Sequence, residues 1–159
     1  MTGPERAGAS RDGRYVVRLI LPSAICYLPL VNAVAEEFAR EMEFDRDQVE
    51  CVALSVVEAT TNAIQHGNGY DPDKPVELTF QRDGTRLIVT VEDQGEGFDP
   101  GAIPDPLAPE NLLKESGRGI FICRSFMDEV AFETGRAGGT LIRMVKGGAP
   151  EAIRLRPCP

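Results

Sequence analysis

Apolar and polar positions divide the chain into segments with the periodicity of strands and helices. Residues 14–22, RYVVRLILP, are rich in β-branched side chains and end at a proline, which predicts a first strand. After Pro29 the apolar residues Leu30, Val34 and Phe38 recur every four positions, and this spacing predicts an amphipathic helix that begins near the proline.

A second helix is predicted between an N-terminal capping residue, Asp45 or Asp47, and the glycines Gly67 and Gly69, which suit a left-handed C-cap. At about 100° per residue, its apolar positions form one stripe. The members of the stripe are Val49, Val52, Ala53, Val56, Ala63 and Ile64.

Two pairs of alternating segments predict two β-hairpins. Residues 76–82 and 86–93 are joined by an Asp-Gly turn, and residues 129–135 and 138–146 surround the turn sequence GRAG. Both hairpins pair strands that are adjacent in the chain, so an antiparallel arrangement is expected for each.

A long segment rich in proline and glycine, residues 94–119, precedes a short helix predicted to start at a Gly-Arg-Gly turn. The element order favours an α+β fold: a two-layer sandwich with a mixed, mostly antiparallel sheet and helices on one face. We expect a disordered segment over residues 1–13, one domain over 14–146, and a tail over 147–159.

Composition and charge narrow the classes of partner. The net charge of −8 argues against nucleic acid or an anionic membrane as the main partner. The four cysteines form no CxxC pair and suggest neither a disulfide framework nor a zinc site, and three of them lie in apolar surroundings and are interpreted as core residues. With neither a signal peptide nor an apolar run of transmembrane length, we expect a cytoplasmic protein.

A row of polar residues, EATTNAIQHGN, interrupts the otherwise apolar second helix. Glu58 and Asn62 are four residues apart and share a helix face, with Ser55 and His66 in the same quadrant and the apolar stripe opposite. A lone Glu–Asn pair is more often a solvated face, but the amide oxygen of Asn62 is also a suitable Mg²⁺ ligand. Glu58 would then serve as a base or orient a water molecule.

Two glycine-containing clusters supply the complementary chemistry. Asp93 ends a predicted strand, and Gly95 and Gly97 let the backbone turn and approach a ligand; the carboxylate could accept a hydrogen bond from an exocyclic amine such as N6 of adenine. Gly117 and Gly119 precede the third helix, where free N–H groups can bind phosphate oxygens. Each cluster alone is equally typical of an ordinary turn.

Together and in this order, the motifs resemble those of the GHKL ATPases of the Bergerat fold, shared by gyrase, histidine kinases and MutL. EATTNAIQHG resembles the N box, DQGEGF the G1 box, SGRGIFI the G2 box, and GGTLIRM the last box. The match runs over residues 14–146. The small size, and FMDEV after the G2 box, are similar to the anti-sigma-factor serine kinases of the RsbW and SpoIIAB type.

This resemblance implies an ATP site with Mg²⁺. It assigns Asn62 as the magnesium ligand, Glu58 as the general base, and the turn of Gly117 and Gly119 as the phosphate contact. His66, which closes the N box, is placed among the nucleotide contacts, although a helix-terminal histidine more often only forms hydrogen bonds.

The same resemblance also assigns the residues around the adenine base of ATP. Asp93 matches the adenine-reading aspartate, Gly95 and Gly97 shape its pocket, and residues 98–116 match the ATP lid. Thr140 matches the threonine that supports the base through water.

One position departs from the family pattern. Some members carry Lys or Arg where this chain has Gln65, so the extra positive charge on the phosphates must come from Arg118 or Lys114, or be missing. Arg118 is the better candidate and is placed among the nucleotide contacts.

The resemblance implies a serine/threonine protein kinase that phosphorylates an anti-sigma-factor antagonist of the STAS type, binds a sigma factor and forms a homodimer. A nucleotide-dependent binding module with little catalysis is the alternative. A detached histidine-kinase domain is disfavoured, since the only histidine lies inside the N box.

Overall fold

A computed structural model of the protein describes residues 15–97 and 115–147. The expected N-terminal disorder, most of the expected lid and nearly all of the expected tail lie outside the described residues. In the described part of the chain, no helix combines the length and apolar character needed to cross a membrane.

The described elements follow the predicted order. They are β1 (Tyr15–Leu21), α1 (Leu28–Glu41), α2 (Arg46–Asn62), β2 (Val76–Asp83), β3 (Arg86–Glu92), α3 (Glu115–Phe126), β4 (Glu129–Thr134) and β5 (Thr140–Lys146). The strands form one sheet in the order β1-β2-β3-β5-β4, and every pair in it is antiparallel. The α+β prediction is confirmed, with a sheet that is antiparallel between all five described strands.

The helices cover one face of the sheet, and α2 packs between α1 and α3. Alternate residues of the central strands face this layer, including the fully buried Leu78, Phe80 and Val89. The ring of Phe38 stacks on Phe80 with centroids 4.8 Å apart, which joins α1 to the sheet.

The apolar stripe predicted for α2 is confirmed, because all six of its members are buried. Asp45 is the N-cap: its side chain accepts a hydrogen bond from the Gln48 N–H at 2.8 Å, and Gln48 bonds back to the Asp45 N–H. This capping box fixes where α2 begins, and the core stripe fixes its rotation about its axis.

Two predicted details of the other helices are wrong. The most buried residues of α1 are Val31, Ala35 and Ala39, one position beyond the predicted set; of that set only Leu30 is exposed, whereas Val34 and Phe38 are partly buried against the core. Both sets have the same four-residue spacing, and the alanines allow closer approach of α1 to α2. The described part of α3 starts at Glu115, so the Gly-Arg-Gly sequence lies inside the helix rather than before it.

Candidate functional site

A cavity of about 500 Å³ opens between the C-terminal end of α2, the segment after β3, the start of β5 and α3. Its lining includes many of the residues that the sequence singled out. They are Asn62, His66, Asp93, Gly95, Gly97 and Thr140. Apolar walls with a few polar groups are typical of small-molecule sites, and here the apolar part comes from residues such as Ile120, Phe132 and Ile142.

The carboxylate of Asp93 is held rigidly in the cavity wall. It is buried, and Oδ1 accepts hydrogen bonds from the N–H groups of Gly95 at 2.9 Å and Thr140 at 3.1 Å. The Asp93 N–H donates to the Thr140 carbonyl at 2.9 Å. The second oxygen, Oδ2, accepts no hydrogen bond from the described residues, so it is available to a donor in the cavity.

Three glycines let separate backbone segments meet around Asp93. A Cβ atom at Gly67 would overlap the Asp93 carboxylate, one at Gly95 would overlap the Gly67 carbonyl, and one at Gly139 would overlap the main chain of Asp93. Gly95 was expected to shape this pocket, whereas Gly67 was interpreted only as a helix cap and Gly139 had no predicted role. The surroundings of Asp93 are therefore largely main chain.

Glu58 and Asn62 lie beneath the N-terminal half of α3. A Cβ atom at Gly119 would be 2.9 Å from Asn62 Nδ2 and 3.0 Å from Glu58 Oε2, so both polar groups converge on this glycine. Both side chains are partly buried. The structure thus brings together the N-box pair and one glycine of the G2 box.

The polar face of α2 is not a solvated surface, contrary to the simplest interpretation of the sequence. Ser55 is fully buried; its hydroxyl donates to the Cys51 carbonyl at 2.8 Å, and its own carbonyl accepts from Cys123 Sγ at 3.4 Å. Helix α3 covers this face, and the periodicity of α2 alone does not reveal a second helix.

Burial and, to a smaller extent, the negative charge of Glu58 together raise the pKa of the Cys123 thiol to about 12. The thiol therefore stays protonated at neutral pH, although it lines the cavity. This agrees with the interpretation of this cysteine as a core residue.

The α2 helix changes hydrogen-bond pattern at the site. After Asn62 the chain forms a π-helical turn, Ala63–Gly67, closed by the Asn68 N–H donating to the Ala63 carbonyl at 2.8 Å. Such turns are often found at functional sites. His66 lies in this turn, exposed at the rim of the cavity.

Asn68 is a site residue that the sequence analysis missed. Its buried amide donates to Ser23 Oγ and the Lys74 carbonyl, both at 2.8 Å, and to the Pro75 carbonyl at 3.2 Å. Its Oδ1 accepts from the Gln94 N–H at 2.7 Å. The only signal in the sequence was its place as the last residue of the polar row.

The remaining predicted residues are placed as follows. Thr140 meets Asp93 through its main chain, and no hydrogen bond of its hydroxyl to another described residue is present. Gly97 has φ +77° and lies against the Gly138 carbonyl. Gly117 and Arg118 are helical, but the side chain of Arg118, like all of Lys114, lies outside the described residues.

The chain is similar in sequence to a known family of domains and to individual proteins. The family model described as histidine kinase-like ATPase domain matches residues 21–146. The serine-protein kinase RsbW of Staphylococcus epidermidis is 29% identical over 145 residues, covering 87% of this chain and 90% of the relative. The RsbW of Bacillus licheniformis is 31% identical over 129 residues, covering 76% and 78%.

A solved structure shows the same fold. The RsbU and RsbW domains of Rv1364c from Mycobacterium tuberculosis superpose with a TM-score of 0.60 at 18% identity, over 84% of this chain. The chain spans about a third, 32%, of that longer protein.

Proposed function

The chain belongs to the family of histidine kinase-like ATPase domains, and we propose on this premise that it is an ATP-dependent serine/threonine protein kinase. One observation carries the proposal. Asp93, a fixed carboxylate acceptor, and Asn62 line one cavity, and Glu58 lies beside Asn62 where the two side chains converge on Gly119. These groups suit the adenine end and the phosphate end of one nucleotide.

At the adenine end, Asp93 Oδ2 would accept a hydrogen bond from the exocyclic N6 amine. The two N–H groups on Oδ1 prevent the carboxylate from rotating, so the acceptor is oriented before the ligand arrives. A 6-oxo purine presents an acceptor at the same position and would be disfavoured.

At the phosphate end, the residues present fit a magnesium ion. Asn62 offers a neutral oxygen, and no group of three His, Cys, Asp or Glu side chains in the described chain could hold a metal by itself. Mg²⁺ commonly takes few protein ligands and completes its shell with phosphate oxygens and water. When bound, it would neutralise charge on the phosphates.

Glu58 would act as the general base. It accepts the proton of a serine or threonine hydroxyl while that oxygen bonds to the γ-phosphorus and the bond from phosphorus to the ADP oxygen breaks. Phosphoryl transfer depends mainly on positioning and charge neutralisation, and such a base contributes roughly 10²–10⁴-fold to the rate.

For the protein substrate, we propose an anti-sigma-factor antagonist of the STAS type, with a sigma factor as the alternating partner and a homodimer as the working form. The supporting observation is the similarity to proteins named serine-protein kinase RsbW over most of both chains.

The test uses Glu58→Gln and Asn62→Ala beside the control Glu50→Gln, which removes an exposed carboxylate from the same helix. Labelled ATP, Mg²⁺ and a candidate antagonist are incubated with each, and ATP binding is titrated separately. We expect Glu58→Gln to lose transfer by about 100-fold or more while retaining ATP binding. Asn62→Ala should lose Mg²⁺-dependent binding, and Glu50→Gln should change neither.

Transfer that persists in Glu58→Gln would show that Glu58 is not the base. ATP binding without transfer in the unmodified protein would favour a nucleotide-dependent binding module. Failure to bind ATP would overturn the proposal altogether.

A further inference from the structure

The turn between β4 and β5, residues 135–139, forms the back of the Asp93 site. It is closed by the Gly135 N–H donating to the Gly139 carbonyl at 2.8 Å. Its inner side places Gly139 against the main chain of Asp93, with no space for a side chain between them. Any outward movement of this turn would also withdraw the Thr140 N–H from Asp93 Oδ1.

The outer side of the turn is fastened to the sheet through Arg136. Its backbone N–H donates to Glu92 Oε1 at 2.5 Å, and its guanidinium donates to Glu92 Oε2 from Nε at 3.3 Å and Nη2 at 3.2 Å. Nη2 also contacts Glu77 Oε1 at 2.8 Å. One arginine thus joins the turn to the ends of β2 and β3.

The charges of Glu77 and Glu92 explain why an arginine is suited to this position in the turn. Glu77 and Glu92 are directly paired across β2 and β3, and two carboxylates in that position repel each other. Glu92 is 7% exposed, so it gains little screening from water. Arg136 lies between the two, and hydrogen bonding to Glu77, followed by the charge of Glu92, raises its pKa.

Glu92 and Asp93 are neighbours in the chain, at the point where β3 ends. Glu92 faces the side of the sheet away from the helices, where Arg136 meets it, and Asp93 faces the cavity. The ion pair on one side of the backbone and the carboxylate on the other therefore share one rigid segment.

We propose that Arg136 and Glu92 are positioning residues that hold the β4–β5 turn against Asp93 and thereby set the preference for adenine. This inference rests on the proposed function, in which Asp93 binds the N6 amine. It adds two residues outside the cavity to the determinants of base specificity.

The test measures equilibrium binding of ATP and of inosine triphosphate, which differ at the 6-position of the base, to the full chain in the presence of Mg²⁺. The variants are Arg136→Ala, Arg136→Lys and Glu92→Gln. The control is Arg86→Ala, which breaks the pair of Arg86 with Glu129 at the opposite end of β3 on the same sheet.

We expect Arg136→Ala and Glu92→Gln to bind ATP about tenfold more weakly, with binding of inosine triphosphate nearly unchanged, so that the preference for ATP falls. Arg136→Lys should be intermediate, because an ammonium cannot contact both carboxylates as a guanidinium does. Arg86→Ala should retain the full preference.

The outcomes separate the two proposals. If the unmodified protein binds neither nucleotide, or binds both equally, the role of Asp93 fails, and this inference fails with it. If the unmodified protein prefers ATP and the variants keep that preference, only the positioning role is overturned. Equal weakening of both nucleotides, with a lowered melting temperature, would indicate a purely structural contact; should Arg136→Ala not fold, Glu92→Gln decides.

Discussion

Gly67 lies so close to Asp93 that a methyl group at position 67 would overlap the carboxylate. The main chain at the end of the N box therefore packs directly against the carboxylate at the end of β3. Gly67→Ala should displace the carboxylate and destabilise the fold by about 1–3 kcal/mol, the usual cost of overpacking. ATP binding should weaken in parallel.

Urea unfolding and ATP titration check this prediction. The control is Gly84→Asn in the β2–β3 turn, where φ is +61° and no atom lies near the position of the added Cβ. Asparagine tolerates this left-handed conformation better than most side chains, so ATP affinity should be almost unchanged and the free energy of unfolding should fall by less than in Gly67→Ala. Unaltered ATP affinity in Gly67→Ala would contradict the close fit.

At Gly119, unlike at Gly67, we expect a substitution to reduce activity without reducing stability. An added Cβ would meet only the ends of two flexible side chains, Asn62 and Glu58, while alanine favours a helix interior over glycine by roughly 1 kcal/mol. Gly119→Ala should therefore keep or slightly raise the melting temperature and yet reduce phosphoryl transfer at least tenfold, by displacing the two polar groups. Ser125→Ala, an exposed change on the same helix, serves as control. Full activity in Gly119→Ala would argue against a role for this convergence.

Asn68→Asp tests the buried amide with a minimal change of shape. An ionised carboxylate would face the carbonyl oxygens of Lys74 and Pro75, which accept hydrogen bonds from the amide at present. We expect a loss of about 2–3 kcal/mol at pH 7. The introduced carboxyl should have a raised pKa in the folded state, so the part of the loss that comes from ionisation should vanish below its unfolded pKa of about 4 and grow as the pH rises. A smaller loss, from the missing N–H donor, should stay at every pH.

Urea unfolding between pH 3 and pH 7, with Asp73→Asn on the nearby exposed turn as a control for general charge effects, measures this dependence. A variant whose deficit is the same at all pH values would exclude ionisation as the cause.

The raised pKa of Cys123 predicts that the free energy of unfolding falls at alkaline pH. Its pKa is raised to about 12 in the folded protein, so the folded state holds the proton that the unfolded thiol loses. The associated stability is complete below the unfolded pKa of about 8.5 and declines above it, by about 1–2 kcal/mol at pH 10. Unfolding at pH 8 and pH 10 should show this additional decline in the unmodified chain but not in Cys123→Ala. Identical declines in both would contradict the assignment.

The parts of the fold that the sequence predicted are those with strong local signals. The α2 stripe, its capping aspartate and the Asp-Gly hairpin each depend on residues within one element. The start of α3 was wrong because Gly117 and Gly119 were interpreted as ending a turn. The position of Gly119 inside the helix instead reflects its close approach to α2, a tertiary constraint that outweighs helix propensity.

The missed site residues depend on contacts between distant parts of the chain. Asn68 is surrounded by Ser23, Lys74 and Gln94, and Arg136 contacts Glu77 and Glu92. No periodicity or motif relates these positions. Family resemblance supplied the polar groups that would contact the nucleotide, and only the three-dimensional structure supplied the residues that hold them.

The glycines around Asp93 also bear on the design of selective inhibitors. Because the surface next to this carboxylate is mostly main chain, a compound that contacts only this surface has few side chains by which to distinguish this protein from relatives with the same glycines. The cavity lining also includes the side chains of Cys123, Phe132 and Lys74. Substituents directed toward these three side chains are where selectivity for this chain can be obtained.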